Sequence, residues 1–185
     1  MKLKSKGSLS LSPVSPDRTD WLKKFYHWEN DKSIHHLHHV SKNEMELSTH
    51  HTTFDSLVHR AEMASKSAHD FYGCLLWDDE PVGILTGAVD PSHLWKKESK
   101  SFWPGIVIGE SHARGKGAGR QAMLWCEDIA REMGCHRIEL GVFEYNTIAR
   151  RLYVSLGYSE LTRIAQFTWW DGKLWSDIRM EKIII

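Results

Sequence analysis

The sequence predicts a single domain of the α/β (α+β) class, with about seven strands and about four helices over residues 1–185. Runs of apolar or alternating residues, four to twelve long, indicate the strands. Segments that repeat apolar residues every three or four positions indicate the helices. Short turns rich in Asp, Gly and Pro separate neighbouring runs, as expected for a sheet built from hairpins.

The first part of the chain predicts one strand followed by two helices. Residues 9–14 alternate as Leu-Ser-Leu-Ser-Pro-Val, which is typical of a strand, and Pro16 marks its end. Residues 20–28 place Trp21 and Phe25 on one side of a helix, and residues 54–68 repeat apolar side chains in the same way. Both helices are therefore expected to cover the sheet.

The middle of the chain predicts a hairpin and a fourth strand. Residues 71–77 and 82–89 are apolar runs joined by Asp-Asp-Glu-Pro, which favours an antiparallel hairpin. Residues 102–108 form the next run after a polar loop. Pro104 and Gly105 are expected to break the regular pairing of that strand with a bulge.

The last part of the chain predicts three more strands and a helix. Residues 137–143 alternate apolar with polar or small side chains, and residues 146–157 form a helix from an Asn cap to a terminal Gly. Residues 159–170 and 174–183 form a final hairpin around Asp171-Gly172.

Composition excludes several classes of protein. Lys plus Arg and Asp plus Glu both number 24, so no basic field favours nucleic acid or an anionic membrane as a partner. The N-terminus has no apolar leader, and no run approaches a bilayer span. Three cysteines without C-x-x-C spacing favour a reducing compartment. We therefore expect a cytoplasmic protein, either a monomer or a homodimer, without nucleic-acid or membrane partners.

A glycine-rich turn with three cations precedes the third predicted helix, which ends at Gly134. In this turn glycines alternate with other residues, in the order Arg114, Gly115, Lys116, Gly117, Ala118, Gly119 and Arg120. Main-chain N–H groups without covering side chains, placed at a helix N-terminus, bind anions. The spacing does not match the G-x-G-x-x-G dinucleotide fingerprint, and Gly117 follows Lys116 where a Walker loop needs Ser or Thr. An ordinary strand-to-helix connection with solvated cations is the remaining alternative.

Two motifs resemble those of the GNAT N-acetyltransferases. Arg114-x-x-Gly117-x-Gly119 resembles the loop that binds the acetyl-CoA pyrophosphate, and residues 146–158, Asn-Thr-Ile-Ala-Arg-Arg-Leu-Tyr-Val-Ser-Leu-Gly-Tyr, resemble the second family motif. Trp28 and Asp31 match a W-x-x-D signature of the branch that includes ribosomal-protein-alanine and polyamine acetyltransferases. The closing D-G…D-x-x-M pattern is also similar, so the resemblance covers nearly the whole chain.

The resemblance implies a mixed, mostly antiparallel sheet that splays apart between the fourth and fifth predicted strands. Acetyl-CoA is the implied cosubstrate, with its pantetheine arm along the free edge of the fourth strand at Val107, Ile108 and Gly109. Its diphosphate would lie over the loop from Arg114 to Arg120. Asn146 caps its helix and is a further candidate contact.

The resemblance also implies direct acetyl transfer to a primary amine of a small molecule, peptide or protein N-terminus. Tyr153 is the candidate acid that protonates the leaving sulfur, against packing alone as the alternative. Gly141 stands where some relatives carry a glutamate base, so Glu110 is the candidate base, with His112 and Glu144 as rivals. Glu110 could instead be a solvated partner of a loop cation, and a water chain could serve as the base. The alternative function is a non-catalytic CoA or acyl-CoA sensor.

A histidine-rich segment raises the question of a metal site. It contains His35, His36, His38, His39, His50 and His51. No acidic or cysteine ligands accompany these residues at a recognised metal spacing, so no metal is expected. The segment is interpreted as a polar connection, and the resemblance implies that it helps form the wall of the acceptor site.

Overall fold

The chain folds around one eight-stranded sheet, and the computed structural model describes residues 4–185. The strands are β1 (Lys4–Lys6), β2 (Leu9–Pro13), β3 (Asp70–Trp77), β4 (Glu80–Val89), β5 (Ser101–Ile108), β6 (Arg137–Phe143), β7 (Ser159–Trp170) and β8 (Lys173–Ile183). Their spatial order is β1-β2-β3-β4-β5-β6-β8-β7, and every neighbouring pair is antiparallel except β5 and β6. The predicted α/β class with a mixed, mostly antiparallel sheet is confirmed.

Five α-helices accompany the sheet within residues 4–185. They are α1 (Thr19–Glu29), α2 (Glu44–Thr49), α3 (Phe54–Lys66), α4 (Ala118–Glu132) and α5 (Thr147–Ser155). The four predicted helices correspond to α1, α3, α4 and α5, and the seven predicted strands correspond to β2 to β8. The prediction missed β1 and α2 because neither carries apolar periodicity: β1 reads Lys-Ser-Lys, and α2 contains no buried residue.

Two hydrophobic clusters lie on opposite faces of the sheet. On one face α4 packs Met123, Trp125 and Ile129 against strand residues that include Ile138, and α5 borders the same cluster. On the other face α1 and α3 cover the sheet, with Phe25 as one of the fully buried side chains. The sheet thus separates an α4–α5 layer from an α1–α3 layer, and β5 and β6 lie between them.

The predicted bulge at Pro104 and Gly105 is wrong. β4 and β5 pair without a register shift from Gly83↔Ile108 to Val89↔Phe102. Pro104 does not interrupt this pairing because its main chain is directed away from β4. The irregularity lies at the end of β5 instead, where the N–H groups of Gly109 and Glu110 both donate to the Val82 carbonyl, at 2.9 and 3.1 Å.

The three cysteines are buried and form no disulfide in residues 4–185. Burial raises the pKa of the Cys135 thiol to about 11, so it is protonated at neutral pH. No helix in this range is long and apolar enough to cross a membrane. Residues 1–3, which belong to the N-terminal stretch where no leader was expected, lie outside the described part of the chain.

Candidate active site

The central feature of the site is a gap between β5 and β6. These parallel strands pair only at Ser101↔Arg137 and Phe102↔Ile138, after which they separate. Pro104 is the next β5 residue whose main chain is directed toward β6, and it has no N–H to donate. The splayed sheet predicted between the fourth and fifth predicted strands is therefore present, with Pro104 at the point of separation.

The register of β5 shows which main-chain groups are directed into the gap. The Gly109 N–H, just after β5, donates to the carbonyl of Val82 in β4. Because main-chain groups alternate in direction along a strand, the odd-numbered residues of β5 also direct theirs toward β4. The groups of Ile106 and Ile108 are therefore directed toward the gap. Of the three predicted contacts with the pantetheine arm, this alternation favours Ile108 over Val107 and Gly109. Ile106 was not among the predicted residues, and only the register identifies it.

The predicted anion loop lies beyond the end of β5 and leads directly into α4. Gly117 is the residue before α4 and has a φ of +91°, and Gly115 has a φ of +71°. No side chain caps the helix, and its first intrahelical bond runs from Gln121 N–H to the Gly117 carbonyl. The N–H groups of Ala118, Gly119 and Arg120 therefore lack intrahelical acceptors and are available to an anion.

The three loop cations have different surroundings. Arg114 donates from Nε to the Ile108 carbonyl at 3.0 Å and from Nη2 to the Gly109 carbonyl at 2.6 Å. Arg120 donates from Nη1 to Ser155 Oγ at 3.0 Å, which joins α4 to α5. Lys116 Nζ lies 5.9 Å from the centre of the Trp77 ring. Two of the cations thus brace the loop, so the binding of an anion rests mainly on the main chain.

Asn146 caps α5 as predicted. Its Oδ1 accepts a hydrogen bond from the Ala149 N–H at 3.2 Å. The oxygen is therefore used within the protein, and only the amide nitrogen remains for a ligand.

Tyr153 lies on α5, partly buried against the cluster that also contains Ile106 and Ile108 as bordering residues. Burial is the main cause that raises the pKa of Tyr153 to about 12, and the neighbouring Cys126 thiol is a smaller cause. The phenol therefore keeps its proton throughout the neutral range, as an acid catalyst requires.

Glu110 lies where the end of β5 meets α1. Its Oε1 accepts hydrogen bonds from Lys24 Nζ at 3.1 Å and Trp28 Nε1 at 3.3 Å. Burial raises the pKa of Glu110, but Lys24 and Trp28 outweigh it and hold that pKa below its ordinary value. The carboxylate is therefore ionised and weakly basic. Of the rival bases, Glu144 is bonded to Arg163 at 3.2 Å, and His112 lies in a short 3-10 helix after Glu110.

An open cavity of about 740 Å³ lies beside Glu110. Trp28 and Asp31, the two residues of the W-x-x-D signature, both line it, together with Arg114. A Cβ on Gly109 would lie 2.1 Å from the Trp28 ring, so glycine is needed there for the indole to approach the strand. The cavity therefore joins α1 to the segment between β5 and the anion loop.

A second carboxylate, not identified from the sequence, lies beside Gly141. A Cβ on Gly141 would be 2.8 and 3.0 Å from the Asp177 oxygens and 3.2 Å from Trp103, which follows the last β5–β6 pair. Asp177 is 3% exposed and accepts a bond from Arg179 Nε at 2.6 Å. Burial raises the pKa of Asp177 despite the opposing Arg179. Asp177 of β8 thus places a carboxylate directly over Gly141.

The chain is similar in sequence to curated N-acetyltransferases. The uncharacterized N-acetyltransferase YycN of Bacillus subtilis is 32% identical over 92 residues, which cover 50% of this chain and 56% of YycN. The chain thus spans only about half the length of that relative.

Solved structures share the fold across almost the whole chain. The spermidine N-acetyltransferase of Vibrio cholerae in complex with CoA and spermine gives a TM-score of 0.76 at 19% identity, covering 97% of both chains. The ribosomal-protein-S5-alanine acetyltransferase of Vibrio fischeri gives 0.75 at 14% identity, covering 100% of this chain and 97% of the other.

The family comparison covers the site as well as the fold. The model for the acetyltransferase (GNAT) family matches residues 22–158, which extend from α1 through the strand gap and the anion loop to the end of the second motif. The chain therefore belongs to the GNAT family of acetyltransferases.

Proposed function

We propose that this protein transfers an acetyl group from acetyl-CoA to a primary amine of a small molecule, peptide or protein N-terminus. The observation that supports this most is the alignment of the β5–β6 gap with the uncapped N-terminus of α4. An amide-bearing arm can pair with a free strand edge, and a diphosphate suits the N–H groups of a helix N-terminus. Consecutive parts of one extended cosubstrate therefore fit consecutive parts of the chain.

The residues that fit acetyl-CoA belong to the main chain. Ile106 and Ile108 would hold the arm, and Ala118, Gly119 and Arg120 would hold the diphosphate. When bound, acetyl-CoA supplies the acetyl group and a thiolate leaving group. The N–H of Ile108 is a donor for the charge that develops on the carbonyl oxygen, because it is directed into the gap.

Two proton transfers remain for side chains. An amine attacks only as the free base, so a base must remove its proton. Asp177 is proposed for this role because its raised pKa brings it nearer to neutral pH. Glu110 remains the alternative base, and its ionised carboxylate in the cavity also suits the binding of an ammonium group. Tyr153 donates a proton at the sulfur.

Turnover with a panel of amines tests the proposed function. Polyamines, peptides with N-terminal alanine and aminoglycosides would be mixed with acetyl-CoA, and release of the CoA thiol would be measured. We expect at least one amine to give thiol release, with one acetyl group found on the product by mass spectrometry. Tight binding of CoA without acetylation of any amine in a broad panel would favour the sensor function instead.

Replacement of the two candidate bases distinguishes them. We expect Asp177→Asn to lower kcat about 100-fold at neutral pH, with a smaller loss at alkaline pH, where more of the amine is already deprotonated. Glu110→Gln is expected mainly to raise KM for the amine. The measurement is the pH dependence of kcat/KM for both variants. Because Asp177→Asn leaves Arg179 without its partner, CoA affinity is measured as a check that the site is otherwise intact. A larger kcat loss in Glu110→Gln, with loss of the acidic limb, would assign the base to Glu110.

A further inference from the structure

The fold gathers histidines from two separate parts of the chain between α1 and α3. His35 begins a short 3-10 helix that ends at Leu37, His39 follows it, and His50 lies directly after α2. One nitrogen from each of these three residues lies within 4.8 Å of one nitrogen from each of the others. The ring centroids are 4.2 Å apart for His35 and His39, 4.0 Å for His39 and His50, and 4.9 Å for His35 and His50.

Several of these nitrogens are buried without a hydrogen-bond partner. His35 is 5% exposed, and its Nε2 has no partner among the described residues. His39 Nε2 is also unpartnered, although it lies 3.4 Å from Oε2 of Glu29. Leaving a buried polar atom unpaired costs about 1–3 kcal/mol. Such atoms are rare in native proteins, and each one calls for a partner such as an ion or an ordered water.

We propose that His35, His39 and His50 bind a divalent transition-metal ion of the zinc type. Three imidazoles with nitrogens this close together are a donor set that zinc, cobalt and nickel accept.

The surroundings of the three histidines supply charge and access. Glu29 is 6% exposed, and Arg60 Nη1 donates to its Oε1 at 3.1 Å. Its second oxygen faces His39, so it provides the negative charge that three neutral imidazoles lack. His50 is exposed, so the site opens to solvent on that side and an ion can enter there.

A bound ion would fix the segment that follows α1. In this segment the His36 ring stacks on Trp170 of β7, with centroids 3.7 Å apart and planes at 9°. Tyr145, which follows β6, donates its hydroxyl to the His36 carbonyl. The ion thus has a structural role in holding this segment against the sheet, and it takes no part in acetyl transfer. This proposal stands whether or not the proposed function is correct.

Metal titration of tag-free, chelator-treated protein tests the proposal. We expect one equivalent of Zn²⁺ to bind with micromolar or tighter affinity by calorimetry. Co²⁺ in the same site is expected to give visible absorption typical of four-coordinate nitrogen ligation. Zn²⁺ should also raise the melting temperature, because it binds the folded state.

Variants separate this site from adventitious binding. His50→Gln changes an exposed side chain and is expected to weaken Zn²⁺ binding at least tenfold and to remove the thermal shift. His69→Gln, which changes an exposed histidine outside the cluster, is the matched control and is expected to bind as the wild type does. Absence of stoichiometric Zn²⁺ or Co²⁺ binding by the wild type would overturn the proposal, as would undiminished binding by His50→Gln. His35→Gln extends the test to the buried ligand, with circular dichroism to confirm its folding.

Discussion

Replacement of Gly117 by valine is expected to weaken CoA binding roughly 100-fold while leaving the protein folded. A 100-fold loss is about 2.7 kcal/mol, which corresponds to about one charge-assisted main-chain bond to the diphosphate, worth about 1.5–3 kcal/mol. Calorimetric titration with CoA gives the affinity directly. Acetyl transfer at saturating amine is expected to fall in parallel, because KM for acetyl-CoA rises.

The effect follows from the position of Gly117 at the start of α4. Its φ of +91° lies in the left-handed region, where a branched side chain adds about 1–2 kcal/mol of backbone strain. A Cβ there meets no atom within 4 Å, so no clash within the protein adds to this cost. The methyl groups of valine would instead occupy the open space over the N–H groups of the first helical turn, where the anion is expected.

The same substitution at the other end of α4 is the matched control. Gly134 has a φ of +78°, and a Cβ there also meets nothing within 4 Å. It lies beyond the far end of α4, whose 15 residues are about 22 Å long at the rise of an α-helix. Gly134→Val should therefore lose similar stability and keep its CoA affinity. Equal CoA affinity in the two variants would contradict the assignment of the anion loop.

The strands and helices with a regular apolar pattern could be predicted from the sequence. Ile138, Leu140 and Val142 alternate along the chain and are all buried in β6, because a strand turns successive side chains to opposite faces. The glycine-rich turn likewise predicted the helix that follows it, and α4 begins within that turn at Ala118. Elements without such periodicity were missed, and the polar β1 is one of them.

What depends on distant pairing could not be read from local patterns. Asp177 reaches the space over Gly141 only because β6 and β8 pair with Phe143 opposite Asp177. The D-x-x-M ending was the one sequence signal for this carboxylate. The histidines show the same limit, since His50 meets His35 only after α2 reverses the chain. The sequence alone cannot show whether these histidines form a polar connection or a set of metal ligands, because the difference lies in how the fold brings them together.

Replacement of Tyr153 by phenylalanine is expected to lower kcat about 100-fold with little change in CoA affinity. The change removes one hydroxyl and keeps the ring that packs on the core, so it removes proton donation but not packing. Single-turnover rates and calorimetric CoA titration measure the two quantities separately.

Tyr158→Phe is the matched control, because it removes a hydroxyl that lies close by but has no assigned role. Tyr158 is 3% exposed, its hydroxyl has no partner among the described residues, and its ring centroid lies 6.0 Å from that of Tyr153. We expect its kcat to match the wild type. Equal losses in both variants would mean that the hydroxyls act through packing, which would remove the acid role from Tyr153.

The pH dependence of kcat provides a second test of Tyr153. Because its pKa is raised to about 12, the phenol is fully protonated from neutral pH to about pH 10, and the wild type should show no alkaline decline from this group in that range. A decline near pH 10 that disappears in Tyr153→Phe would show that the hydroxyl titrates like an exposed tyrosine. The burial that keeps the proton on Tyr153 would then be absent in the active state, and another donor, such as water, would have to protonate the leaving sulfur.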